Sequence, residues 1–272
     1  MNNKPTIGVM GAGMVGGSTI RYFESSGHAV VIYDPFKGHT DASVLGGADY
    51  IFICVPTPYD EEKGGFDLSF VRDAMRLIPA GKIAIIKSTV LPGTTDALQK
   101  EFPELKVVFN PEFLTEESAD QDMRFPDRQV IGYTKESYGI TGDIMMLLPV
   151  APFDRIMPAS EAEMVKYFAN CWFSVKVVFA NQMFDVCDKL GINYDNVKEA
   201  ASADKRIGRS HLQIFHKGYR GYGGKCLPKD TRAMIQLGAR LGLSLDLLKT
   251  TDAINNYLVA LPVQNNDSVV GK

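Results

Sequence analysis

The first half of the chain alternates short apolar runs, rich in β-branched residues, with stretches of helical pattern. The runs that predict strands are residues 6–10, 29–33, 50–55, 82–87, 106–109 and 129–133. Strands that alternate with helices in this way form βαβ units around a mainly parallel sheet. The sequence therefore predicts a doubly wound α/β domain over residues 1–158.

The second half begins with one long helical pattern over residues 159–190, which contains no proline and no glycine. At 1.5 Å per residue it would extend for roughly 48 Å, enough to join two domains. Further helices are predicted at 193–203, 231–241 and 246–258, so residues 159–272 are expected to form an all-helical domain. A chain of 272 residues fits two domains of about 150 residues each. The polar residues 264–272 are expected to fray.

One face of the long helix is predicted to be buried, because its apolar residues recur at spacings of three and four. These residues are Met164, Val165, Phe168, Trp172, Val175, Phe179, Met183, Val186 and Leu190. Lys166 and Asn170 are four residues apart and share the other face.

The composition argues against several classes of protein. The chain carries 29 basic and 32 acidic residues, so it lacks the positive charge that nucleic-acid binding needs. No signal peptide is expected, and the sequence has no run of about 18 apolar residues, so a soluble, cytoplasmic protein without a membrane partner is expected. Four cysteines without a CxxC pair argue against disulfides and a zinc site, and no metal is expected.

A glycine-rich motif, GAGMVG at residues 11–16, follows the first predicted strand and precedes a helix. In this context GxGxxG is typical of a Rossmann-type domain that binds a dinucleotide at a tight turn. The second predicted strand ends at Asp34, whose carboxylate would accept hydrogen bonds from an adenosine ribose and repel a 2′-phosphate. This residue favours NAD over NADP, a preference that Lys37 slightly weakens.

Cys226 lies in the segment 221–230, just before a helix whose first turn holds Pro228. The helix dipole, with Lys225 and Lys229, favours the thiolate, which is the nucleophilic form of cysteine. The preceding glycines are expected to leave the approach to the sulfur open. The remaining cysteines, Cys54, Cys171 and Cys187, lie in apolar patterns and are interpreted as small buried hydrophobes.

Two polar segments, residues 88–94 and 110–116, directly follow predicted strands. Ligands bind at the carboxyl edge of doubly wound sheets, where these segments would lie. Glu112 and Glu116 either face a ligand there or are ordinary turn and helix-cap residues.

Taken together, and in their order along the chain, these motifs resemble those of the UDP-glucose/GDP-mannose dehydrogenase family. The resemblance covers residues 4–260 and is carried by GAGMVG, VPTP at 55–58, STVLPGT at 88–94, NPEFLTEE at 110–117, the pair Lys166 and Asn170, Arg206-Ile207-Gly208, and GYGGKCLPKD at 221–230. Such enzymes oxidise an alcohol carbon of a nucleotide sugar twice, to the carboxylate, with two NAD and one water. UDP-glucose is the expected substrate.

The resemblance implies that a cysteine traps the aldehyde as a thiohemiacetal, which is oxidised to a thioester and then hydrolysed. The implied catalytic residues are Cys226 as nucleophile, Lys166 and Asn170 around the substrate oxygen, Asp230 and Thr89 around the water, and either Glu112 or Glu116 as general base.

The resemblance also implies ligand contacts. NAD would be contacted by Gly11, Gly13, Met14, Val15, Gly16, Asp34, Lys37, Val55, Thr57, Thr89 and Glu116. The nucleotide sugar would be contacted by Glu112, Phe113, Leu114, Glu116, Lys166, Asn170, Arg206, Tyr222, Gly223 and Cys226. Arg206 would reach across the interface of a homodimer formed through the long helix and the helical domain.

The chain departs from the family pattern in two places. Residues 215–220 look longer than expected, which affects the sugar-binding loop. Family members usually continue into a third domain that binds the nucleotide sugar, and this chain ends soon after residues 255–258. A third domain is therefore expected to be absent.

Two other functions are compatible with parts of this pattern. A two-electron β-hydroxyacid dehydrogenase also carries a lysine and an asparagine four apart on the long helix, but it needs no nucleophilic cysteine. A non-catalytic protein that binds NAD or a nucleotide sugar is the other alternative, motivated by the missing domain.

Overall fold

The structure, a computed structural model, describes residues 4–60, 62, 65–216 and 218–262. The predicted frayed tail, 264–272, lies outside the described residues. The chain divides into two units: residues 1–60 and 66–166 form the first, and residues 61–65 and 167–272 form the second. The first unit contains the main sheet. The assignment of residues 1–158 to NAD binding and of 159–272 to a helical domain stays a prediction.

The sheet of the first unit has seven strands in the order β2-β1-β3-β6-β7-β8-β9. The strands are β1 Ile7–Met10, β2 Val30–Tyr33, β3 Tyr50–Ile53, β4 Tyr59–Asp60, β5 Gly65–Phe66, β6 Ile83–Ile86, β7 Lys106–Phe109, β8 Arg128–Tyr133 and β9 Phe153–Pro158. Strands β4 and β5 form a separate two-stranded sheet. Neighbours in the main sheet are parallel except for the antiparallel pair β7 and β8. The predicted mainly parallel sheet is confirmed.

Besides three short 3₁₀ helices and the start of the long helix, the described part of this unit contains five α-helices. They are α1 Met14–Ser25, α2 Ser69–Arg76, α3 Thr94–Glu101, α4 Ala119–Arg124 and α5 Thr141–Leu147. The sheet is apolar on both faces: Ile51 and Ile53 of β3 pack in one buried cluster, and Phe52 packs in another. Because β2 and β3 lie on opposite sides of β1, the strand order reverses there, which is where doubly wound folds bind ligands.

Strand β9 was not predicted, and its position explains why. It pairs only with β8, at the edge of the sheet, and most of its residues are exposed. An exposed edge strand bounded by prolines has neither the continuous apolar run nor the alternation that marks a strand in the sequence.

The long helix, α6 Ala159–Leu190, has the predicted bounds and continues into the second unit. The other helices described there are α7 Tyr194–Ser202, α8 Leu227–Arg240 and α9 Asp246–Val259. None of the helices in the described ranges is both long and apolar enough to cross a membrane.

The predicted helical region after the sheet is confirmed, and it also contains two short strands that form a hairpin at residues 215–220. The strands are β10 Phe215–His216 and β11 Tyr219–Arg220. Arg220 ties the hairpin to α6 through Asn181 Oδ1 at 2.9 Å and Asp185 at 2.7 Å. Strands of two residues are too short to show an alternating pattern in the sequence. The segment that looked too long is thus a hairpin anchored on the long helix.

The prediction that the apolar face of α6 is buried is wrong. Phe168, Trp172 and Phe179 are 77%, 53% and 57% exposed, whereas Lys166 and Asn170 are only 5% and 6% exposed. The helix buries its polar face because those side chains have hydrogen-bond partners within the chain. Nothing in the described residues covers most of its apolar face.

We expect Gly16→Ala to destabilise the protein strongly, because a Cβ at this position would lie 1.8 Å from the Gly11 carbonyl oxygen. The free energy of unfolding, measured with urea, should fall by about 3 kcal/mol or more. Gly46→Ala is the control, since a Cβ there meets nothing within 4 Å. Equal stabilities of the two variants would contradict this packing of the glycine turn.

Candidate active site

The glycine turn is closed on one side and open on the other. Gly11 has φ +85°, and a Cβ there would lie 2.8 Å from the Cys54 carbonyl oxygen. A Cβ at Gly16 would lie 1.8 Å from the Gly11 carbonyl oxygen, whereas a Cβ at Gly13 would meet nothing within 4 Å. Helix α1 begins directly afterwards at Met14, so its free N-terminal amides lie at this turn. This cradle fits a dinucleotide pyrophosphate.

Asp34 and Lys37 are both tied to the glycine turn. Asp34 is 7% exposed, and its carboxylate accepts from the Ala12 N–H at 2.7 Å and from the Phe36 N–H at 3.0 Å. The Lys37 ammonium donates to the Ala12 carbonyl at 2.5 Å. Each carboxylate oxygen can accept a further hydrogen bond. Asp34 thus holds the turn and can still receive a ribose hydroxyl.

Three of the predicted NAD contacts, Val55, Thr57 and Thr89, come together beyond the ends of β3 and β6. The Thr57 hydroxyl donates to the Thr89 carbonyl at 2.8 Å, and the Ser88 hydroxyl donates to the Val55 carbonyl at 2.7 Å. These bonds join the segments 55–58 and 88–94, which are far apart in the sequence, into one surface at the sheet edge.

Glu112 and Lys166 form a buried ion pair within the first unit. The Lys166 ammonium donates to Glu112 Oε1 at 2.7 Å and to the Glu112 carbonyl at 2.8 Å. The other carboxylate oxygen accepts from the Leu114 N–H at 2.8 Å. The ring of Phe113 lies beside the pair, its centroid 5.9 Å from the Lys166 nitrogen. Both partners in the pair are less than 10% exposed.

The charge state of Glu112 follows from two opposing effects. Burial alone would raise the pKa of its carboxyl, but the Lys166 ammonium and the hydrogen bonds outweigh burial and hold that pKa below its ordinary value. Glu112 is therefore an anion at neutral pH, paired with a cation.

The two candidate glutamates have different surroundings. Glu116 is exposed and lines a cavity of about 670 Å³ with Met14, Arg21 and Arg124. Glu112 is buried against Lys166. The structure thus brings Glu116 to the surface beside the glycine turn and Glu112 to the interior.

Glu163 was missed by the sequence analysis although it is fully buried. Its carboxylate accepts from the Gly93 N–H at 2.6 Å, the Thr95 N–H at 2.8 Å and the Thr95 hydroxyl at 2.6 Å. It therefore caps the N-terminus of α3 from another helix. Burial raises the pKa of Glu163 to about 7 despite these bonds. A glutamate three residues before Lys166 on the polar face was the only signal in the sequence.

Lys87 was also missed. Its ammonium is 4% exposed and donates to Asn110 Oδ1 at 2.7 Å, while Asn110 Nδ2 donates to the Val130 carbonyl at 2.8 Å. Burial lowers the pKa of Lys87. These polar groups lie at the carboxyl ends of β6 and β7. The signal in the sequence was a polar residue directly after each of these two apolar strands.

In the second unit, the predicted position of Cys226 at a helix N-terminus is confirmed. Cys226 is exposed and directly precedes α8, with Pro228 in its first turn. Lys229 pairs with Asp230 at 2.6 Å, so its charge is shared with a carboxylate. Burial raises the pKa of the thiols of Cys54 and Cys171 to about 12, which agrees with their interpretation as inert residues.

Asn170 and Asp230 are brought together in the interior of the second unit. Asn170 Nδ2 donates to Asp230 Oδ2 at 2.5 Å, and Asp230 is fully buried. One turn further along each helix, the hydroxyls of Ser174 and Thr231 lie 2.9 Å apart. Helices α6 and α8 thus share a polar contact one turn beyond Cys226.

The glycines before Cys226 do not all leave open space, contrary to the expectation. A Cβ at Gly221 would lie 2.6 Å from Asn255 Oδ1, and one at Gly223 would lie 2.5 Å from the Tyr219 hydroxyl. Only Gly224 of these three has nothing within 4 Å. Tyr222 is 4% exposed, with its ring packed in a core cluster. The predicted sugar contacts of Tyr222 and Gly223 stay predictions.

Arg206 is not brought to the other predicted residues of its unit. Its side chain is 90% exposed and pairs with Asp204 at 2.6 Å. Exposure of this degree is compatible with the predicted reach towards a second subunit, which stays a prediction.

We expect the Glu163 carboxyl to make stability depend on pH. Because its folded pKa of about 7 lies above the ordinary 4.5, the folded state holds this proton more tightly. The contribution is complete below about pH 4.5 and is lost as the pH rises to about 7. Relative to Glu163→Gln, the wild type should lose up to about 1.4 kcal/mol per pH unit across this window. Urea unfolding at several pH values measures this, and a difference independent of pH would contradict it.

Comparison with known proteins agrees with this geometry. Residues 34–146 match the NAD binding domain of the UDP-glucose/GDP-mannose dehydrogenase family, and residues 160–257 match its central domain. The UDP-glucose 6-dehydrogenase of Rhizobium meliloti is 34% identical over 230 residues, which are 79% of this chain and 51% of that protein. The chain spans about half the length of the curated relatives it matches.

Solved structures show the same fold. A UDP-glucose dehydrogenase from Pyrobaculum islandicum is 31% identical, with a TM-score of 0.81 over 94% of this chain and 69% of that chain. A 3-hydroxyisobutyrate dehydrogenase from Mycobacterium tuberculosis has a TM-score of 0.75 over 95% of both chains, but at 14% identity it shares the fold alone. With its glycine turn and its two matched domains, the chain belongs to the UDP-glucose/GDP-mannose dehydrogenase family and contains that family's NAD-binding domain.

Proposed function

We propose that this protein oxidises a nucleotide sugar, with UDP-glucose as the first candidate, by four electrons to the carboxylate in a reaction that depends on NAD. The single observation that carries the proposal is the surroundings of Cys226. The cysteine is exposed at the N-terminus of α8, and a buried carboxylate, Asp230, lies one turn further along the same helix and binds the Asn170 amide. A two-electron dehydrogenase has no use for such a cysteine.

Cys226 acts as the nucleophile in this proposal. Its thiolate adds to the aldehyde carbon that the first oxidation produces, and the resulting thiohemiacetal keeps the aldehyde bound. A second oxidation gives a thioester, and water releases the carboxylate. NAD, when bound, supplies the hydride acceptor for both oxidations. The helix N-terminus favours the thiolate and the negative charge that develops next to it.

Lys166 and Asn170 stabilise negative charge on the substrate oxygen. The Lys166 ammonium lies 2.7 Å from the ionised Glu112 carboxylate, which holds it in place. The Asn170 amide is oriented by Asp230 through one N–H and has a second N–H for a substrate oxygen. Oriented donors of this kind need little reorganisation when charge develops.

Glu112 is the better candidate for the general base that activates water. It is buried and ionised, while Glu116 lies on the exposed loop beside the glycine turn. A buried, ionised carboxylate can accept the proton of an attacking water. Glu116, together with Met14, is then assigned to the cofactor side.

The apolar face of α6 supports a homodimer. Its exposed apolar residues are Met164, Phe168, Trp172, Phe179, Met183, Val186 and Leu190, at spacings of three or four except between Trp172 and Phe179, where the half-buried Val175 fills the gap. A continuous apolar stripe of this length is rarely left in water, and the spacing suits packing against another helix. We assign a second copy of the chain as the partner. The exposed Arg206 would then serve the neighbouring subunit.

Cys226→Ala should abolish NADH formation from UDP-glucose while the Kd for NAD changes by less than about twofold, because only the nucleophile is removed. The wild type should form two NADH per nucleotide sugar, measured at 340 nm with limiting substrate. The control is Cys187→Ala, which alters a buried cysteine on α6. This variant should remain active.

Two outcomes would contradict this proposal. One NADH per substrate with an active Cys226→Ala variant would indicate the two-electron β-hydroxyacid reaction. Binding of NAD without NADH formation from any UDP- or GDP-sugar would indicate a non-catalytic binding protein.

Phe179→Asp should convert the protein from dimer to monomer, because it places a charge in the middle of the apolar stripe of α6. Sedimentation equilibrium should give about twice the chain mass of 29.9 kDa for the wild type and the chain mass for the variant. Val150→Asp, at a 94% exposed position in the first unit, should stay dimeric. A monomeric wild type would refute the interface and the shared role of Arg206.

A further inference from the structure

The backbone of Tyr222, four residues before Cys226, is held by one side chain. The Tyr222 N–H donates to Asn255 Oδ1 at 2.6 Å, and Asn255 Nδ2 donates to the Tyr222 carbonyl at 2.9 Å. Asn255 lies on α9 and is 3% exposed, so both bonds are buried. We refer to this pair of bonds as the Asn255 clamp.

The neighbouring residue Gly221 leaves space for the Asn255 side chain. Gly221 has φ +83°, and a Cβ there would lie 2.6 Å from Asn255 Oδ1. Only glycine leaves room for the amide in that backbone conformation. The ring of Tyr222 packs with Val177 and Val178, so the same residue is fixed by its side chain and by its backbone.

The segment between the clamp and Cys226 has little stiffness of its own. It consists of Gly223, Gly224 with φ +73°, and the exposed Lys225. Only these three residues separate Tyr222 from Cys226, so the fixed backbone of Tyr222 limits where the chain can enter α8. Because the clamp uses a donor and an acceptor together, it fixes both the position and the orientation of the Tyr222 backbone.

We infer that Asn255 is a positioning residue for the nucleophile: through Tyr222 it fixes the segment that places Cys226 at the N-terminus of α8. The inference rests on the proposed role of Cys226. Asn255 acts through the Tyr222 backbone, to which its side chain is bonded.

The adjacent residue provides a matched control. Asn256 is exposed and bonds to Arg232 and Asp252. Asn255→Ala and Asn256→Ala therefore remove the same side chain from neighbouring positions of one helix, and only the first removes the clamp.

The first measurement is alkylation of the full chain by iodoacetamide at pH 7.5, followed for each cysteine by mass spectrometry. In Asn255→Ala, Cys226 should react at least about threefold more slowly, because it loses its fixed place at the helix N-terminus. Asn256→Ala should match the wild type. Cys171 and Cys187 are buried and should stay slow in all variants, whereas a general loss of structure would make them react.

The second measurement is turnover of UDP-glucose. Asn255→Ala should lower kcat by about tenfold or more while the KM for the sugar and the Kd for NAD change by less than about twofold. Asn255→Ser keeps a hydroxyl for one of the two bonds, so its kcat should be intermediate. If Asn255→Ala does not fold, Asn255→Ser is measured in its place.

The inference is overturned if Asn255→Ala and Asn255→Ser react and turn over like the wild type, or if Asn256→Ala shows the same losses. If the wild type does not oxidise a nucleotide sugar, the proposed function fails. The alkylation rates of Cys226 then decide alone whether Asn255 positions it.

Discussion

The buried polar face of helix α6 is the constraint on which the rest of the structure depends. Glu163, Lys166 and Asn170 follow one another on that face and are nearly inaccessible to solvent. Buried charges and amides are costly without partners, so each must meet a matching group. Glu163 caps α3, Lys166 pairs with Glu112, and Asn170 binds Asp230. The candidate catalytic groups are therefore held in place by the same bonds that allow the helix to be buried.

An inward polar face leaves an outward apolar one, and this follows from the geometry of a single helix. Residues three and four apart share a face, so burying Lys166 and Asn170 turns Phe168, Trp172 and Phe179 to the outside. The arrangement is the reverse of an ordinary amphipathic surface helix. Burial of the polar face therefore exposes the apolar face, and this exposed face is the basis of the proposed dimer.

Two carboxylates of the first unit show how surroundings decide charge. Glu112 and Glu163 are both buried, yet the pKa of the first is lowered and that of the second is raised to about 7. The difference lies in their neighbours. Glu112 has the Lys166 ammonium beside it, whereas Glu163 accepts hydrogen bonds from neutral donors and feels the negative charge of Asp96. One is suited to remain an anion in a reaction, and the other ties stability to pH.

The sequence by itself determined the alternation of strands and helices, the bounds of α6, the glycine turn and the position of Cys226 before α8, because these depend on local spacing and backbone preference. It did not reveal β9 or the hairpin ending at Arg220, which lack a local pattern. Only the tertiary structure decided which face of α6 is buried, and it alone showed the clamp of Asn255 on Tyr222. Periodicity gives two faces of a helix, but the partners brought together by folding decide which face turns inward.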